Sequence, residues 1–404
     1  MKTLKLAFRS ILHFRMYSLA NIIGLALSLA CVITIFRYVY GEFTVDRFNK
    51  KIDRIYVTTM ESWENQENIV FSGAFQVIPE KNFNDMIQHS GVEIYSHFLI
   101  LNSQEIFTGN RKYNVTVLVA DSNFFKITDY PIISGINNLS DPNSALISES
   151  YGRKLFGDEN PVGKTFHYLN SNTLTITGII GQTSTKSSLY FDVVVSLNIS
   201  SWTRTLQTYL LLNPNVNYRT INKQFESFSE ELGRRYQLFP LSKVYFDKKV
   251  NITGEQFNRG KFDYIIILLA VGFLILFAGI TNYLNIYTVV VLRRGMELSL
   301  KKIYGAEGIN ILLQLLFENL LMTGIGVFLS FFFISSASLF VTDVLQLEQV
   351  PDIWFDTILS IVILFSLPVI TTLYPFLRHH YSTPVNSMRN IYSLTGHSAI
   401  VPTK

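Results

Sequence analysis

The sequence contains little cysteine and little charge. Among its 404 residues Cys31 is the single cysteine, so an internal disulfide is excluded and cysteine usage indicates no redox compartment. Charged residues make up 16%, compared with about 25% in typical soluble domains. The deficit lies in a few stretches that are almost free of charge, whereas the middle of the chain resembles a soluble protein in composition. This unevenness predicts a membrane protein that carries a water-soluble domain.

The sequence also lacks the patterns that mark an enzyme, a metal centre or a nucleic-acid reader. No histidines and cysteines have metal-ligand spacing, and the net charge of +4 is concentrated beside the apolar stretches rather than on an arm. Gly163-Lys164-Thr165 resembles the end of a phosphate loop, but Gly157 is one residue too far upstream and Pro161 removes a backbone donor. We therefore predict no catalytic residue, no metal, no cofactor and no nucleic-acid partner.

Four apolar segments are long enough to cross a bilayer, which requires about 20 residues. We predict spanning helices at 17–40, 263–292, 309–341 and 355–377. The apolar pattern of the second segment extends over about 45 Å at 1.5 Å per residue, which exceeds the membrane core and predicts a stalk or a strong tilt.

The flanking charges indicate direction, because lysine and arginine near span ends mark the cytoplasmic side. The residues before the first segment and the loop 293–308 are basic on balance, whereas the loop 342–354 contains acids and no base. Both termini and residues 293–308 are therefore predicted to be cytoplasmic. Residues 41–262 and the short loop 342–354 are predicted to be outside, and residues 378–404 form a cytoplasmic tail.

The beginning of the chain allows more than one interpretation. Residues 1–16 carry an apolar and a basic stripe at helical spacing, which predicts an amphipathic helix on the inner membrane surface; a plain basic flank is the alternative. A lipoprotein-type signal cleaved before Cys31 is disfavoured, since Ser28 stands where leucine is preferred and the apolar run continues past Cys31.

The segment 41–262 mixes short β-rich runs with few helical patterns, which predicts an extracytoplasmic α+β domain in two subdomains. A strand that leads into a helix is predicted at 144–155, and a charged amphipathic helix at 222–236. The predicted fold class is a polytopic α-helical membrane protein with four spans and this α+β domain between the first and the second.

Polar residues near the second and third spans form candidate sites. Asn282 and Asn285 lie three residues apart on one helix face, where amides in lipid form bonds between helices. Residues 293–308 predict a short amphipathic helix of the kind that a partner groove binds, which Gly305 can end. Its candidate contacts and the polar base of the third span are Arg294, Glu297, Leu298, Leu300, Lys301, Lys302, Ile303, Tyr304, Gly305, Gln314 and Glu318.

These motifs, in this order, resemble the FtsX-like and MacB-like permease family. Its patterns N-[FY]-[IV]-N, R-x-x-E-[IL]-G-[IV]-x-[KR]-x-x-G-A and Q-x-x-x-E are similar to Asn282–Asn285, Arg294–Ala306 and Gln314 with Glu318. Further similar stretches are Asn21–Leu25, Asp121–Phe125, Lys154–Lys164, Tyr374-Pro375 and Thr383–Val385. Ser299 stands where the family has glycine, and Leu284 stands where it has a β-branched residue.

The resemblance implies a permease subunit in a bacterial inner membrane. In such a mechanotransmission-type ABC transporter, a separate ATPase subunit binds ATP and magnesium and grips the helix at 294–304. A second permease copy, identical or paralogous, packs against the first two spans. Hydrolysis moves the outside domain, and a drug, peptide or lipoprotein is exported or extracted. The resemblance leaves open whether a periplasmic adaptor or an outer-membrane conduit is a further partner.

A second function class remains open. In this alternative the protein is an FtsX-like transmembrane regulator or sensor, which activates a cell-envelope partner without transport. The size of the segment 41–262 favours transport over regulation, but the sequence does not identify a cargo.

Overall fold

The computed structural model describes residues 15–64, 67–72, 87, 91–168, 172–200, 206–223, 235–247, 250–251, 258–343 and 352–380. The predicted surface helix lies outside these ranges up to residue 14, as do the predicted cytoplasmic tail from residue 381 onward and residues 344–351 of the short loop.

The described chain divides into two compact units. The membrane unit comprises Met1–Tyr40 and Asp263–Lys404, and the middle domain comprises Gly41–Phe262. The helices are α1 (Arg15–Phe43), α2 (Phe124–Ile127), α3 (Glu149–Phe156), α4 (Leu241–Val244), α5 (Phe262–Arg293), α6 (Gly295–Ile303), α7 (Gly308–Asp343) and α8 (Ile353–His380).

The strands of the middle domain join into one sheet. They are β1 (Ile55–Glu64), β2 (Glu67–Ser72), β3 (Val92–Thr108), β4 (Arg111–Ala120), β5 (Ile132–Gly135), β6 (Ser144–Ser148), β7 (Thr165–Tyr168), β8 (Asn172–Ile180), β9 (Val193–Ser196), β10 (Gln207–Leu212), β11 (Arg235–Pro240) and β12 (Val250–Asn251). The sheet order is β12-β2-β1-β10-β3-β4-β9-β6-β8-β5, with β11 on β1 and β7 on β3 and β8. Most pairs are antiparallel, while β4–β9, β6–β8 and β2–β12 are parallel.

Alternation along the strands gives the sheet a hydrophobic core on each face. Leu118 of β4 and Val194 of β9 belong to one buried cluster with Phe98, whereas their neighbours Val117 and Val193 belong to a second cluster. Successive side chains of a strand point to opposite faces, so this is the pattern of a sheet covered on both sides. The predicted division into two subdomains stays a prediction.

Two local predictions for this domain have different outcomes. The strand that leads into a helix is present as β6 and α3, and the hydroxyl of Ser148 caps α3 by accepting a hydrogen bond from the backbone N–H of Tyr151. The predicted helix at 222–236 is wrong at its end, because Arg235 and Tyr236 pair with β1 as part of β11. Residues 224–234 of that prediction lie outside the described ranges.

In the membrane unit, α1, α5, α7 and α8 are the described helices that are long and apolar enough to cross a membrane. The predicted fold class is thereby confirmed: four spans, with an α+β domain between the first and the second. One buried cluster joins them all, with residues such as Leu29 from α1, Tyr287 from α5, Leu315 from α7 and Leu367 from α8.

Glycine allows α1 and α5 to pack closely. A Cβ atom on Gly279 would lie 2.4 Å from the Ser28 hydroxyl, and one on Gly272 would lie 3.2 Å from the Ile35 side chain. A Cβ atom on Gly24 would lie 3.2 Å from the amide nitrogen of Asn282. Small residues bring helix backbones together in membranes, so these contacts fix an antiparallel register between the two helices.

Candidate coupling site

The short helix α6 follows α5 directly and has two different faces. Leu298 and Ser299 are buried at 0% and 1% exposure, and Leu298 belongs to the cluster that joins the spanning helices. The opposite side exposes Met296, Leu300, Ile303 and Tyr304, a stripe at helical spacing. We call these four residues the α6 stripe. The predicted contacts therefore separate into an inward set and an outward set.

Gly305 ends α6 in the way that glycine commonly ends helices. Its φ of 90° lies in the left-handed region, and the backbone N–H of Ala306 donates to the carbonyl of Lys301 at 2.9 Å. This bond has the spacing of the Schellman motif, in which glycine avoids the strain that a Cβ atom causes. The turn directs the chain into α7 within a few residues.

Five of the predicted site residues form one closed ring of hydrogen bonds, which joins α6 and Arg294, the residue before it, to α7. Around this ring, Arg294 donates to Glu318 at 2.6 Å and to Glu297 at 3.0 Å. Lys301 donates to Glu297 at 2.8 Å and to Gln314 at 2.9 Å. The Gln314 amide closes the ring by donating to Glu318 at 3.0 Å. Each of the five side chains therefore has two partners in the ring.

One side of the ring is buried, and the other side is exposed to solvent. The side chains of Arg294 and Glu318 are 6% and 2% exposed, whereas Glu297 is 47% exposed. Burial opposes the charge of Arg294, but the attraction of Glu318 and Glu297 prevails and raises the pKa of Arg294 above its usual value. Burial likewise opposes the charge of Glu297, yet the bonds from Arg294 and Lys301 lower its pKa to about 2. Both groups are charged at physiological pH.

A second polar chain joins α5, α7 and α8, and sequence reasoning missed it. The Tyr283 hydroxyl donates to the Asn319 side chain at 2.5 Å, and the Asn319 amide donates to the hydroxyl of Thr372 at 2.7 Å. Tyr287, one turn further along α5, donates to the Leu315 carbonyl at 3.4 Å. The available signal was a polar residue, Asn319, inside an apolar helix, since such residues in spans face the bundle interior.

The remaining predicted residues lie apart from the ring. Asn282 and Asn285 are exposed on the surface of α5, on a different face from Tyr283. The side chain of Lys302 lies outside the described residues. Ser299 faces the interior, so the departure from the family's glycine affects the packing of α6 and not the α6 stripe.

The substitution Arg294→Gln is expected to destabilise the protein strongly, because it leaves the buried carboxylate of Glu318 without its cation. Breaking a buried pair from one side costs roughly 3–5 kcal/mol, whereas the double variant Arg294→Gln/Glu318→Gln leaves no lone charge and costs less. The matched control is Lys301→Gln, at the partly exposed side of the ring, with an expected cost below about 1 kcal/mol. Thermal unfolding in detergent compares all three with the wild type; equal midpoints contradict a structural role of the pair.

In the middle domain, a buried polar cluster holds the residues where the chain enters from α1. Glu42 is 4% exposed and accepts a bond from the Lys186 ammonium at 2.7 Å and one from the Tyr245 hydroxyl at 2.6 Å. Lys186 also donates to the Tyr245 hydroxyl at 3.1 Å. Both carboxylate oxygens of Glu42 are thus bonded, which is the condition for burying a charge.

The same cluster reaches the residues where the chain leaves the domain. The backbone N–H of Gly260 donates to the carbonyl of Tyr245 at 3.0 Å, and a Cβ atom at Gly260 would lie 2.3 Å from the Tyr245 ring. The rings of Phe43, Phe246 and Phe262 contact one another, with centroids 5.6 to 6.3 Å apart. The first and the last residues of the domain are therefore held side by side.

Asp46 lies buried just beyond Glu42. Its φ of 62° is left-handed, a conformation that aspartate and asparagine tolerate. Its carboxylate accepts bonds from the backbone N–H of Ser188 at 2.8 Å and from the hydroxyl of Ser187 at 3.3 Å. Burial raises the pKa of Asp46 to about 6, and these hydrogen bonds only partly oppose the effect.

We predict that Asp46→Asn stabilises the protein at pH 8 and not at pH 4. Since the folded pKa of about 6 exceeds the unfolded value of 3.8, the carboxyl stabilises the fold fully below pH 3.8 and loses this contribution as the pH rises through 6. The loss corresponds to about 3 kcal/mol, and asparagine avoids it while keeping an acceptor oxygen. Thermal midpoints from pH 4 to 8 test this, with the exposed Asp53→Asn as control. A pH-independent difference between Asp46→Asn and the wild type contradicts it.

The architecture and the ring together define a class of protein. Four helices long and apolar enough to cross a membrane, a large α+β domain after the first, and a short amphipathic helix tied to the third describe a multi-pass membrane protein. Residues 18–228 match the model of the MacB-like periplasmic core domain, and residues 269–382 match the model of the FtsX-like permease C-terminal region. The chain belongs to this family of MacB-like and FtsX-like ABC transporter permeases.

One curated relative is the macrolide export ATP-binding/permease protein MacB of Aggregatibacter actinomycetemcomitans. It is 20% identical over 344 residues, which cover 81% of this chain and 51% of the relative. The chain thus spans about half the length of this relative.

Two solved structures resemble half of the chain. A domain of a protein described as a permease from Porphyromonas gingivalis is 21% identical, with a TM-score of 0.40 over 51% of this chain and 95% of that one. The periplasmic region of MacB from Actinobacillus actinomycetemcomitans is 12% identical, with a TM-score of 0.38 over 48% and 92% of the two chains. The family assignment rests on the family models.

Proposed function

We propose that the protein is the permease subunit of a mechanotransmission-type ABC transporter. In this function a separate ATPase subunit binds and hydrolyses ATP, and the resulting movement reaches the middle domain through the membrane helices. The observation that carries the proposal is the closed ring, which ties a short exposed helix to the base of a spanning helix. A partner outside the membrane can move a spanning helix only through a firm connection of this kind.

The α6 stripe is suited to dock into a groove of the ATPase. A short amphipathic helix binds a partner by laying its apolar side chains into a hydrophobic groove. Tyr304 is 87% exposed and Ile303 is 65% exposed, so both project from the membrane unit. Large apolar side chains at such a position are costly in water and favour a protein partner.

The ring then transmits a displacement of α6 to the spanning helices. Arg294 and Lys301 bind α6 to Glu318 and Gln314 of α7, so the two helices move as one body. The chain from Tyr283 through Asn319 to Thr372 extends this connection to α5 and α8. Under the proposed topology, with both termini and α6 cytoplasmic, this body lies on the side of the ATPase.

The exposed amides of α5 support pairing with a second permease. Asn282 and Asn285 share one exposed face, next to the close contact between Asn282 and Gly24 of α1. Amides on a helix surface in lipid gain hydrogen bonds when a second helix covers them, worth about 0.6–2 kcal/mol each. The second permease is a further copy of this chain or a paralogue.

The substrate of this transporter is a drug, a peptide or a lipoprotein, which movement of the outside domain exports or extracts. Macrolide export is the activity in the name of the curated relative, which matches 81% of this chain at 20% identity. A periplasmic adaptor or an outer-membrane conduit is compatible with such export.

Docking is tested by the substitutions Ile303→Asp and Tyr304→Asp, which place a charge in the α6 stripe. The tagged protein is extracted with its native membrane, and vanadate-sensitive ATP hydrolysis that co-purifies with it is measured. The wild type is expected to retain such an ATPase, and in each variant the co-purifying ATP hydrolysis is expected to fall about tenfold, the factor for about 1.4 kcal/mol of lost interface energy. Asn310→Asp, which adds the same charge to an exposed site on α7, is the control.

Absence of ATP hydrolysis from the folded wild type contradicts the proposed function. Equal hydrolysis by the wild type and by both stripe variants contradicts the docking surface alone.

Pairing is tested by the double substitution Asn282→Leu/Asn285→Leu. Leucine keeps the apolar character of the span but removes the hydrogen bonds, so the dissociation constant of the dimer in detergent is expected to rise about tenfold for two such bonds. Light scattering coupled to size exclusion measures the dimer fraction from which this constant follows. Ile266→Leu, exposed on the same helix, is the control, and an unchanged dimer fraction in the double variant contradicts this interface.

A further inference from the structure

An open cavity of about 410 Å³ lies at the surface of the membrane unit, among residues of α1, α7 and α8. Its volume is within the range of roughly 300–1,000 Å³ that small-molecule sites occupy. Most of its wall is aliphatic or aromatic, including Val327, Phe331 and Leu364, and one end is charged. A cavity of this kind suits an amphiphile, which has a polar group at one end and an apolar body.

The charged end is an ion pair between Arg37 of α1 and Asp356 of α8. The guanidinium donates twice, from Nε to Oδ1 at 2.6 Å and from Nη2 to Oδ2 at 2.5 Å, and each side chain is 14% exposed. A guanidinium has five N–H donors in a fixed plane, so the fork on Asp356 leaves the Nη1 donors available. No other described residue is bonded to them.

A second polar group in the cavity wall has no partner. The hydroxyl of Ser360, one helical turn beyond Asp356, is buried and makes no hydrogen bond with the described residues. A buried hydroxyl is normally bonded, so an unbonded one in a cavity wall indicates a place for a ligand's polar atom. Together, Arg37 and Ser360 provide donors at the same end of the cavity.

The apolar end owes its space to a glycine. A Cβ atom on Gly324 would have the Leu364 side chain as its nearest neighbour at 3.6 Å, an ordinary contact distance. A larger side chain at this position would therefore extend into the cavity without a backbone clash. The site can be filled by a single substitution that leaves its charged end intact.

We propose that this cavity binds a phospholipid of the surrounding bilayer. The phosphate accepts hydrogen bonds from Arg37 and Ser360, and an acyl chain lies along Gly324, Val327 and Leu364. The position fits the two parts of a lipid, because Arg37 lies four residues before the middle domain and Asp356 lies in the first turn of α8. Headgroups lie at the ends of spanning helices, and acyl chains lie beside their interior.

A free anion fits this site less well than a lipid. The carboxylate of Asp356 already balances the charge of Arg37, so the pair has little net attraction for a small soluble ion. Binding at this site depends mainly on burying apolar surface against the cavity wall, which an acyl chain does and phosphate does not.

Labelling with a photoactivatable phosphatidylglycerol, with a diazirine on its acyl chain, tests the site. The full-length protein is reconstituted in nanodiscs of phosphatidylethanolamine and phosphatidylglycerol, irradiated and digested, and labelled peptides are identified by mass spectrometry. Label is expected on peptides that contain Val327 or Leu364. Gly324→Leu, which fills the cavity, is expected to reduce it about tenfold, the factor for about 1.4 kcal/mol of lost apolar contact.

The control for Gly324→Leu is Phe328→Leu, on the same helix but 75% exposed to lipid. It is expected to retain the label. Equal labelling of the two variants, at matched thermal midpoints, overturns the proposal, because the label then reports lipid contact in general.

The charged end is tested with the double variant Arg37→Gln/Asp356→Asn, which leaves no lone buried charge. Loss of one charge-assisted hydrogen bond is expected to weaken labelling about tenfold. Excess inorganic phosphate is expected to leave the wild-type label unchanged. Displacement by phosphate alone assigns the site to a free anion, and protection of the cavity peptides by a second copy of the chain assigns it to a dimer contact; either result overturns the proposal.

Discussion

The ion pair between Arg294 and Glu318 is the interaction on which the membrane unit depends. Two charges at 6% and 2% exposure persist only if each neutralises the other, because an isolated ion in such a place costs several kcal/mol. The pair therefore fixes where the chain turns after α5, and α6 has to lie close to α7. Its main effect is on geometry, since a buried pair gains little net stability over an apolar one.

The other polar contacts of the unit follow the same logic. Apolar side chains give helices in lipid little reason to prefer one neighbour over another, so hydrogen bonds and close glycine contacts set the register. The bond from Tyr283 to Asn319 and the approach of Gly279 to Ser28 both act on α5, from two sides. A helix held in this way keeps its register, because its neighbours cannot slide past it.

The identity of the ring residues followed from the sequence, but their pairing did not. Arg294, Glu297 and Lys301 stood out as charges interleaved with apolar residues in a predicted amphipathic helix, and Gln314 and Glu318 stood out as a family motif at the base of the third span. Sequence spacing shows that Arg294 and Glu297 share a helix face, yet it cannot show that Glu318 reaches Arg294 across a turn. That contact depends on the left-handed turn at Gly305, which places α6 against α7.

The spanning helices and the alternating strands could be predicted from the sequence for a related reason, whereas the interior hydrogen bond of Tyr283 could not. Hydrophobic runs and a period of two are properties of neighbouring residues, whereas an inward direction depends on which helix covers the face. The amides of Asn282 and Asn285 attracted attention as polar groups, while Tyr283 between them makes the interior bond. A tyrosine in an apolar helix is easily interpreted as a hydrophobic core residue, so the hydrogen-bonding capacity of its hydroxyl is overlooked.

The buried ion pairs Arg37–Asp356, Glu42–Lys186 and Arg294–Glu318 share a position in the chain, because each includes a residue near the end of an apolar segment. Charges are least costly there, where water and headgroups begin, and a pair at that level fixes a helix end more firmly than apolar packing does. The proposed mechanotransmission function needs fixed helix ends and a smooth apolar middle, because a displacement would have to pass from one side of the membrane to the other. The distribution of charge in this chain meets both needs with few ionised residues.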